Sequence, residues 1–130
     1  MKKPLNYLCF IVFAFVSLTI QAQDIKLPSP DFSTDLVSAL KPGKDLGLSS
    51  GVSSAVEKEN KSFASDIVGI MGGSDDDATK KLKINDRKKQ RDGVLGKAFG
   101  SDTALQSYRK DVKKQIAPFK RKYKMATLIF

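Results

Sequence analysis

The sequence predicts an all-α fold, a small helical bundle of three to five helices behind a cleavable signal peptide. Two observations favour this fold. Apolar residues recur at the three- and four-residue spacing of amphipathic helices, and glycine or proline residues separate these segments. Before the last few residues, no run alternates apolar and polar side chains as an amphipathic strand would.

The N-terminal 22 residues have the pattern of a signal peptide. Two lysines precede thirteen uncharged residues, LCFIVFAFVSLTI, a run shorter than the about 20 residues of a transmembrane helix. Ala22 is a small residue suited to the last position before cleavage, so we expect cleavage after Ala22 or Gln23. The protein would then be exported, either to the periplasm or out of the cell. The alternatives are an uncleaved N-terminal anchor and a lipid attached to Cys9, which lacks the small residues expected before it.

Two regions are predicted beyond the signal. Pro28 and Pro30 predict that residues 23–30 form an extended, exposed lead-in. Residues 31–130 are enough for a single small helical domain and not for two. The only cysteine of the chain lies in the predicted signal, so this domain must rely on packing without disulfides.

The composition removes the commonest catalytic chemistries. The chain contains no histidine, and the predicted domain contains no cysteine. The commonest general base, the commonest zinc ligands and a thiol nucleophile are therefore missing. We predict a non-enzymatic protein with no catalytic residues, no cofactor and no metal site.

A short first helix is predicted over residues 32–40. Its apolar residues lie on one side, Asp31 or Ser33 can cap its N-terminus, and Pro42-Gly43 follows it. A helix this short does not persist in water without packing, so we expect it to cover the core.

A longer second helix is predicted from Ser49 or Ser50 to Met71, where a pair of glycines ends it. Glu59 interrupts the apolar stripe of this helix, and two interpretations remain open. Its carboxylate either lies in water at the edge of the stripe or forms a partly buried pair with a basic residue of the last helix, such as Arg109.

Three consecutive aspartates, Asp75 to Asp77, precede the third helical segment. A calcium loop of the EF-hand type counted from Asp75 requires a glycine at the sixth position and a glutamate at the twelfth, where the sequence has Lys80 and Asp86. Acidic side chains suit the N-terminus of a helix, because its free amides and its dipole favour negative charge. We therefore expect these aspartates to begin a helix.

The segment between residues 78 and 99 permits two interpretations. Either one helix spans it with a solvated middle, or two short helices flank a mobile basic loop. The residues from Asn85 to Gly93 include no apolar side chain. Because a glycine costs about 1 kcal/mol inside a helix, we favour a break near Gly93.

The last predicted helix covers residues 101–124 and is strongly amphipathic. Ser101 or Asp102 can cap it, and Pro118 predicts a kink. The closing residues, MATLIF, either pack on the helices or add an edge strand. Basic residues lie mostly along one flank of the helix, beside an apolar stripe of Leu105, Tyr108, Val112, Ile116, Phe119 and Tyr123.

Charge is distributed unevenly along the chain. Residues 24–79 contain ten acidic and five basic side chains, whereas residues 80–130 contain four acidic and sixteen basic ones. The second half should therefore present a basic surface. This surface either contacts a partner or is a solvated face that keeps a small protein soluble. The candidate contact residues on this surface are Arg87, Lys88, Lys89, Arg91, Lys110, Lys113 and Lys114.

These features predict a binding protein. The first hypothesis is an exported helical protein, chaperone-like or an adaptor, whose basic face engages anionic or unfolded protein partners. The alternative is peripheral binding to anionic membrane lipid through the basic amphipathic C-terminal helix. Nucleic acid is a less favoured partner, because the aromatic side chains of the last helix lie on the apolar stripe, apart from the lysines. The sequence predicts no particular oligomeric state.

The chain also resembles the periplasmic LTxxQ-motif chaperones in layout, since those are small, cysteine-poor, all-helical exported proteins. Leu48-Ser49-Ser50-Gly51-Val52 stands at the place of their motif, with serine in place of threonine and no glutamine. The resemblance is one of layout alone, and it implies a helical fold and a chaperone-like function.

Overall fold

The computed structural model describes residues 24–130, and in this part of the chain it is all-helical. The short 3-10 helices Lys44–Leu46 and Lys124–Leu128 follow the first and last α-helices. The prediction of a small helical bundle is confirmed, whereas the predicted signal peptide lies outside the described residues. The α-helices are α1, Phe32–Leu40; α2, Ser50–Gly72; α3, Asp77–Phe99; and α4, Asp102–Lys122.

Short connections make the successive long helices antiparallel. Helices α2 and α3 form a hairpin, and α4 returns along α3 after Gly100, whose φ of 62° is the left-handed conformation that favours glycine. Helix α1 packs against both α2 and α4. The short first helix therefore covers the core, as the sequence predicts.

The core is formed by the apolar sides of all four helices. The ring of Phe32 lies 5.3 Å from the ring of Phe119 and 5.0 Å from that of Tyr123, which joins α1 to the end of α4. The apolar stripe predicted for α4 is buried throughout, from Leu105 to Tyr123.

Three helices begin at side-chain caps that the sequence identifies. Oxygens of Ser49, Asp76 and Ser101 each accept a hydrogen bond from the backbone N–H three residues later. Asp76 caps α3, and Asp77 lies in its first turn, so the helix-start interpretation of the aspartates is confirmed.

The break favoured near Gly93 is wrong, because α3 runs without interruption through this residue. The side of Gly93 on which a Cβ would stand is open space, and the residue is exposed. Ile84 and Leu95 on either side of it are buried in the core. Their packing offsets the about 1 kcal/mol that an interior glycine costs.

Helix α4 continues through Pro118 to Lys122. The chain beyond it forms a 3-10 helix and no edge strand, with Ala126 and Ile129 buried. Of the two alternatives for the closing residues, packing on the helices is therefore the correct one.

The lead-in is not fully exposed, contrary to the prediction, because Ile25 is only 1% exposed. Its N–H donates to Oδ1 of Asp77 at 3.0 Å, and its carbonyl accepts from Nζ of Lys80 at 2.7 Å. Lys80 also donates to the carbonyl of Met71, near the end of α2, at 2.9 Å. One buried ammonium group therefore joins the lead-in, α2 and α3.

Candidate binding surface on the third and fourth helices

Two of the seven predicted contact residues, Arg87 and Arg91, are buried, at 8% and 7% exposure. They lie four residues apart on the side of α3 that faces α2, so neither belongs to an exposed basic surface. A signal for this placement was present in the sequence. Both arginines continue the helical spacing of Ile84 and Leu95, the apolar residues that flank them on α3.

Arg87 pairs with two carboxylates of α2. Its Nη1 lies 2.8 Å from Oε1 of Glu59, and its Nε lies 2.6 Å from Oδ2 of Asp66. Burial by itself lowers the pKa of Arg87, but the hydrogen bonds to the two carboxylates outweigh it and raise that pKa. The guanidinium therefore stays charged inside the helical hairpin.

Glu59 is 8% exposed, so the interpretation that its carboxylate lies in water is wrong. The alternative of a buried pair is correct, but the partner is Arg87 of α3. Arg109, the partner suggested from the sequence, binds Asp92 at 3.2 Å on the surface. The observed partner differs from the predicted one because α3 is a continuous helix that presents Arg87 to α2, whereas the sequence predicts a break in this segment.

Among residues 24–130, the acceptors that bind Arg91 are neutral. Its Nη2 donates to Oδ1 of Asn60 at 2.8 Å and to the hydroxyl of Tyr108 at 3.0 Å, and that hydroxyl donates to the carbonyl of Leu40 at 2.8 Å. Its Nη1 is buried without a hydrogen-bond partner among residues 24–130. Burial lowers the pKa of Arg91 and raises the pKa of Tyr108.

The ring of Phe63 helps to stabilise the two buried guanidinium groups. The guanidinium carbons of Arg87 and Arg91 lie 5.3 Å and 4.9 Å from its centre. A cation over an aromatic face within about 6 Å is attracted by the ring's electron density. These contacts hold both arginine side chains against α2 and away from the exposed lysines.

The other five predicted residues remain available at the surface. Lys88 is half-buried, and Lys89, Lys110, Lys113 and Lys114 are exposed. Within the part of the chain that the structure describes, no carboxylate forms an ion pair with any of the five. We call the four exposed lysines the basic face.

A cavity of about 460 Å³ lies beside this face, between α3, α4 and the C-terminal residues. Arg91 and Lys113 are among the residues that line it. In the part of the chain from Asp24 onward, no group of three or more His, Cys, Asp or Glu side chains is placed to hold a metal ion. None of the helices described there combines the length and hydrophobicity that a membrane span requires.

No protein-family model matches the chain, and no curated protein or solved structure matches it either. Its function therefore has to be inferred from its own residues.

Proposed function

We propose that the protein is an exported, non-enzymatic helical binding protein, chaperone-like or an adaptor, whose basic face engages anionic or unfolded protein segments. The observation that carries this proposal is the basic face itself, four exposed lysines without a carboxylate partner among residues 24–130. Unpaired cations on a rigid surface attract anionic partners and accelerate their association.

The positions of these lysines are not favourable for the helix that carries them. Lys110 and Lys114 lie four residues apart on α4, and like charges at this spacing destabilise a helix by about 0.2–0.5 kcal/mol. Lys113 adds a third positive charge to the same two turns. Stability therefore does not account for the cluster, which suits solubility or the attraction of an anionic partner.

The alternative function, peripheral binding to anionic membrane lipid, would use the same lysines. The apolar stripe of α4 packs in the core, so a folded chain would bind lipid through charge rather than by inserting that stripe. Binding of this kind weakens steeply with salt, because exposed charges are screened beyond about 10 Å at 0.1 M ionic strength.

The test compares two triple variants of the protein purified after expression of the full chain. One variant, Lys110→Gln, Lys113→Gln and Lys114→Gln, removes three charges from α4. The matched control removes three exposed charges elsewhere, by Lys41→Gln, Lys44→Gln and Lys58→Gln. Binding is measured at low and high salt to reduced, carboxymethylated lactalbumin, an unfolded acidic protein, and to neutral and anionic vesicles.

We expect salt-sensitive binding to the unfolded acidic protein, weakened at least tenfold by the α4 variant and little changed by the control. Equal losses in the two variants would mean that net charge alone is responsible and would contradict a specific face. Binding to anionic vesicles without binding to the unfolded protein would replace the proposal by the lipid alternative.

A further inference from the structure

The cavity between α3 and α4 has the size and lining of a small-molecule site. Its volume of about 460 Å³ lies within the range of ligand pockets, about 300–1,000 Å³. Apolar side chains from four parts of the chain form much of its wall: Leu40 of α1, Leu95 of α3, Val112 and Ile116 of α4, and Phe130 after α4. An apolar molecule in this space would be removed from water on several sides.

Arg91 is among the residues that line this cavity, and its guanidinium is held by Asn60, Tyr108 and the ring of Phe63. This buried cation has no carboxylate partner, and its Nη1 makes no hydrogen bond within residues 24–130. A buried donor without an acceptor is costly, and a buried charge without a counter-ion is costlier still. An anionic group in the cavity would supply both the acceptor and the counter-ion.

Other cations surround the same cavity. Arg109, Lys113 and Lys120 line it, together with Asp92, which pairs with Arg109 at 3.2 Å. Lys113 and Lys120 have no carboxylate partner in the described part of the chain. The local charge is therefore positive, and it favours the entry of an anion.

We propose that this cavity binds a single-chain fatty acid, with the carboxylate facing Arg91 and the hydrocarbon chain along Leu95, Val112 and Ile116. A peptide fits less well, because most of this wall cannot pair with backbone amides, and buried unpaired amides are costly. Nη1 is closed to solvent, so the proposal requires the guanidinium to rotate toward the carboxylate when the fatty acid binds. The proposal goes beyond binding at the basic face, with which the cavity shares Lys113.

The first experiment titrates the protein, purified after expression of the full chain, with dodecanoate below its micelle concentration. Dodecanol and dodecyltrimethylammonium, which have the same chain with a neutral or a cationic head, are the matched ligands. We expect one dodecanoate per chain by calorimetry, bound at least tenfold more tightly than either matched ligand. We also expect the Nε–H resonance of Arg91 to shift in NMR spectra.

Two variants locate the site. Arg91→Met removes the cation that is proposed to pair with the dodecanoate carboxylate. It also removes the hydrogen bonds to Asn60 and Tyr108 and so alters the stability of the fold. Ala117→Phe fills the cavity from α4 without touching that network, because Ala117 lines the cavity and is half-buried. We expect Ala117→Phe to abolish dodecanoate binding while leaving the helical circular dichroism unchanged.

The control is Lys110→Gln with Lys114→Gln, since these lysines belong to the basic face and do not line the cavity. Dodecanoate should bind this variant as it binds the unsubstituted protein, even where binding of an acidic polypeptide is lost. The proposal is overturned by the absence of dodecanoate binding, by equal affinity for dodecanol, or by undiminished binding to Ala117→Phe.

Discussion

Arg87 of α3 and Glu59 of α2 form an ion pair with an N–O distance of 2.8 Å, and their side chains are 10% and 9% exposed. The pair spans the interior of the α2–α3 hairpin. It uses an arginine from the basic half of the chain and a glutamate from the acidic half. The opposite charges of the two halves are therefore partly neutralised inside the fold, and they do not all reach the surface.

The first prediction concerns the loss of one partner. Glu59→Leu leaves the guanidinium of Arg87 buried with only Asp66 as an anionic partner. Removing one member of a buried pair typically costs about 3–5 kcal/mol, and here Asp66 compensates part of the charge that remains. We expect a loss of about 3 kcal/mol in the free energy of unfolding, measured by urea denaturation.

The matched control is the exposed pair of Lys61 and Glu57, which lie 2.8 Å apart at 65% and 63% exposure. Glu57→Leu should change the free energy of unfolding by less than about 0.5 kcal/mol. The double variant Glu59→Leu with Arg87→Met should regain most of the loss. Similar small effects of Glu57→Leu and Glu59→Leu would contradict the buried pair.

The second prediction is that six of the seven basic residues identified from the sequence divide into two groups, whereas the half-buried Lys88 belongs to neither. Arg87→Gln and Arg91→Gln should each destabilise the fold by about 2–3 kcal/mol, because they remove hydrogen bonds to the buried Glu59 and Asn60 of α2. Substitutions to glutamine at the exposed positions should stay within about 0.5 kcal/mol. Thermal unfolding of single variants measures the two sets of effects, and equal effects in both groups would contradict the prediction. The exposed positions are Lys89, Lys110, Lys113 and Lys114.

The third prediction tests the continuity of α3. Gly93→Ala should raise the free energy of unfolding by up to about 1 kcal/mol, because Gly93 is helical and exposed, with open space where the methyl group would lie. Gly100→Ala should lower it by about 1 kcal/mol, because the φ of Gly100 is +62°. Urea denaturation compares the two, and a destabilising Gly93→Ala would indicate that α3 is broken at this residue.

The fourth prediction concerns alkaline pH. Burial raises the pKa of Tyr108 above its ordinary value of 10.0, so the hydroxyl resists ionisation in the folded state and ionises first in the unfolded state. The contribution of the Tyr108 hydroxyl to the free energy of unfolding is therefore fully present below about pH 10, and it is lost as the pH rises through the folded-state pKa.

The free energy of unfolding should therefore fall more steeply above about pH 10 in the unsubstituted protein than in Tyr108→Phe. Lysines also titrate in this range, but both proteins share them, so the difference between the two slopes isolates Tyr108. Parallel slopes would show that Tyr108 ionises alike in the folded and unfolded states.

Helix positions follow from local patterns, whereas the candidate surface depends on tertiary contacts. The caps at Ser49, Asp76 and Ser101 are local signals, and they mark where the long helices begin. The continuity of α3 through Gly93 is decided by packing on both sides of it, which a propensity scale does not include.

The inward orientation of Arg87 and Arg91 required a different kind of information. Helical spacing from Ile84 to Leu95 puts both arginines on the core side, but a charged residue is expected there only when its partner is known, and the partners Glu59 and Asn60 lie on another helix. The exposure of the α4 lysines is predicted from the sequence of that helix alone, because its apolar stripe fixes which side faces the core.

The last prediction concerns Lys80, whose buried ammonium group donates to the carbonyls of Ile25 and Met71. Lys80→Met removes both hydrogen bonds and leaves two carbonyls without this donor, which should cost about 1–3 kcal/mol. The lead-in should then detach more often, because only the bond from its N–H to Asp77 still fixes the backbone of Ile25. Hydrogen exchange of the Ile25 amide measures this opening, since the amide is protected only while the lead-in is docked. Lys83→Met is the control, because Lys83 forms an exposed pair with Asp75, and its ammonium group is not hydrogen-bonded to residues 24–30. Faster exchange at Ile25 in Lys80→Met alone is the expected result, and unchanged exchange there would mean that apolar packing of Ile25 holds the lead-in without the ammonium group.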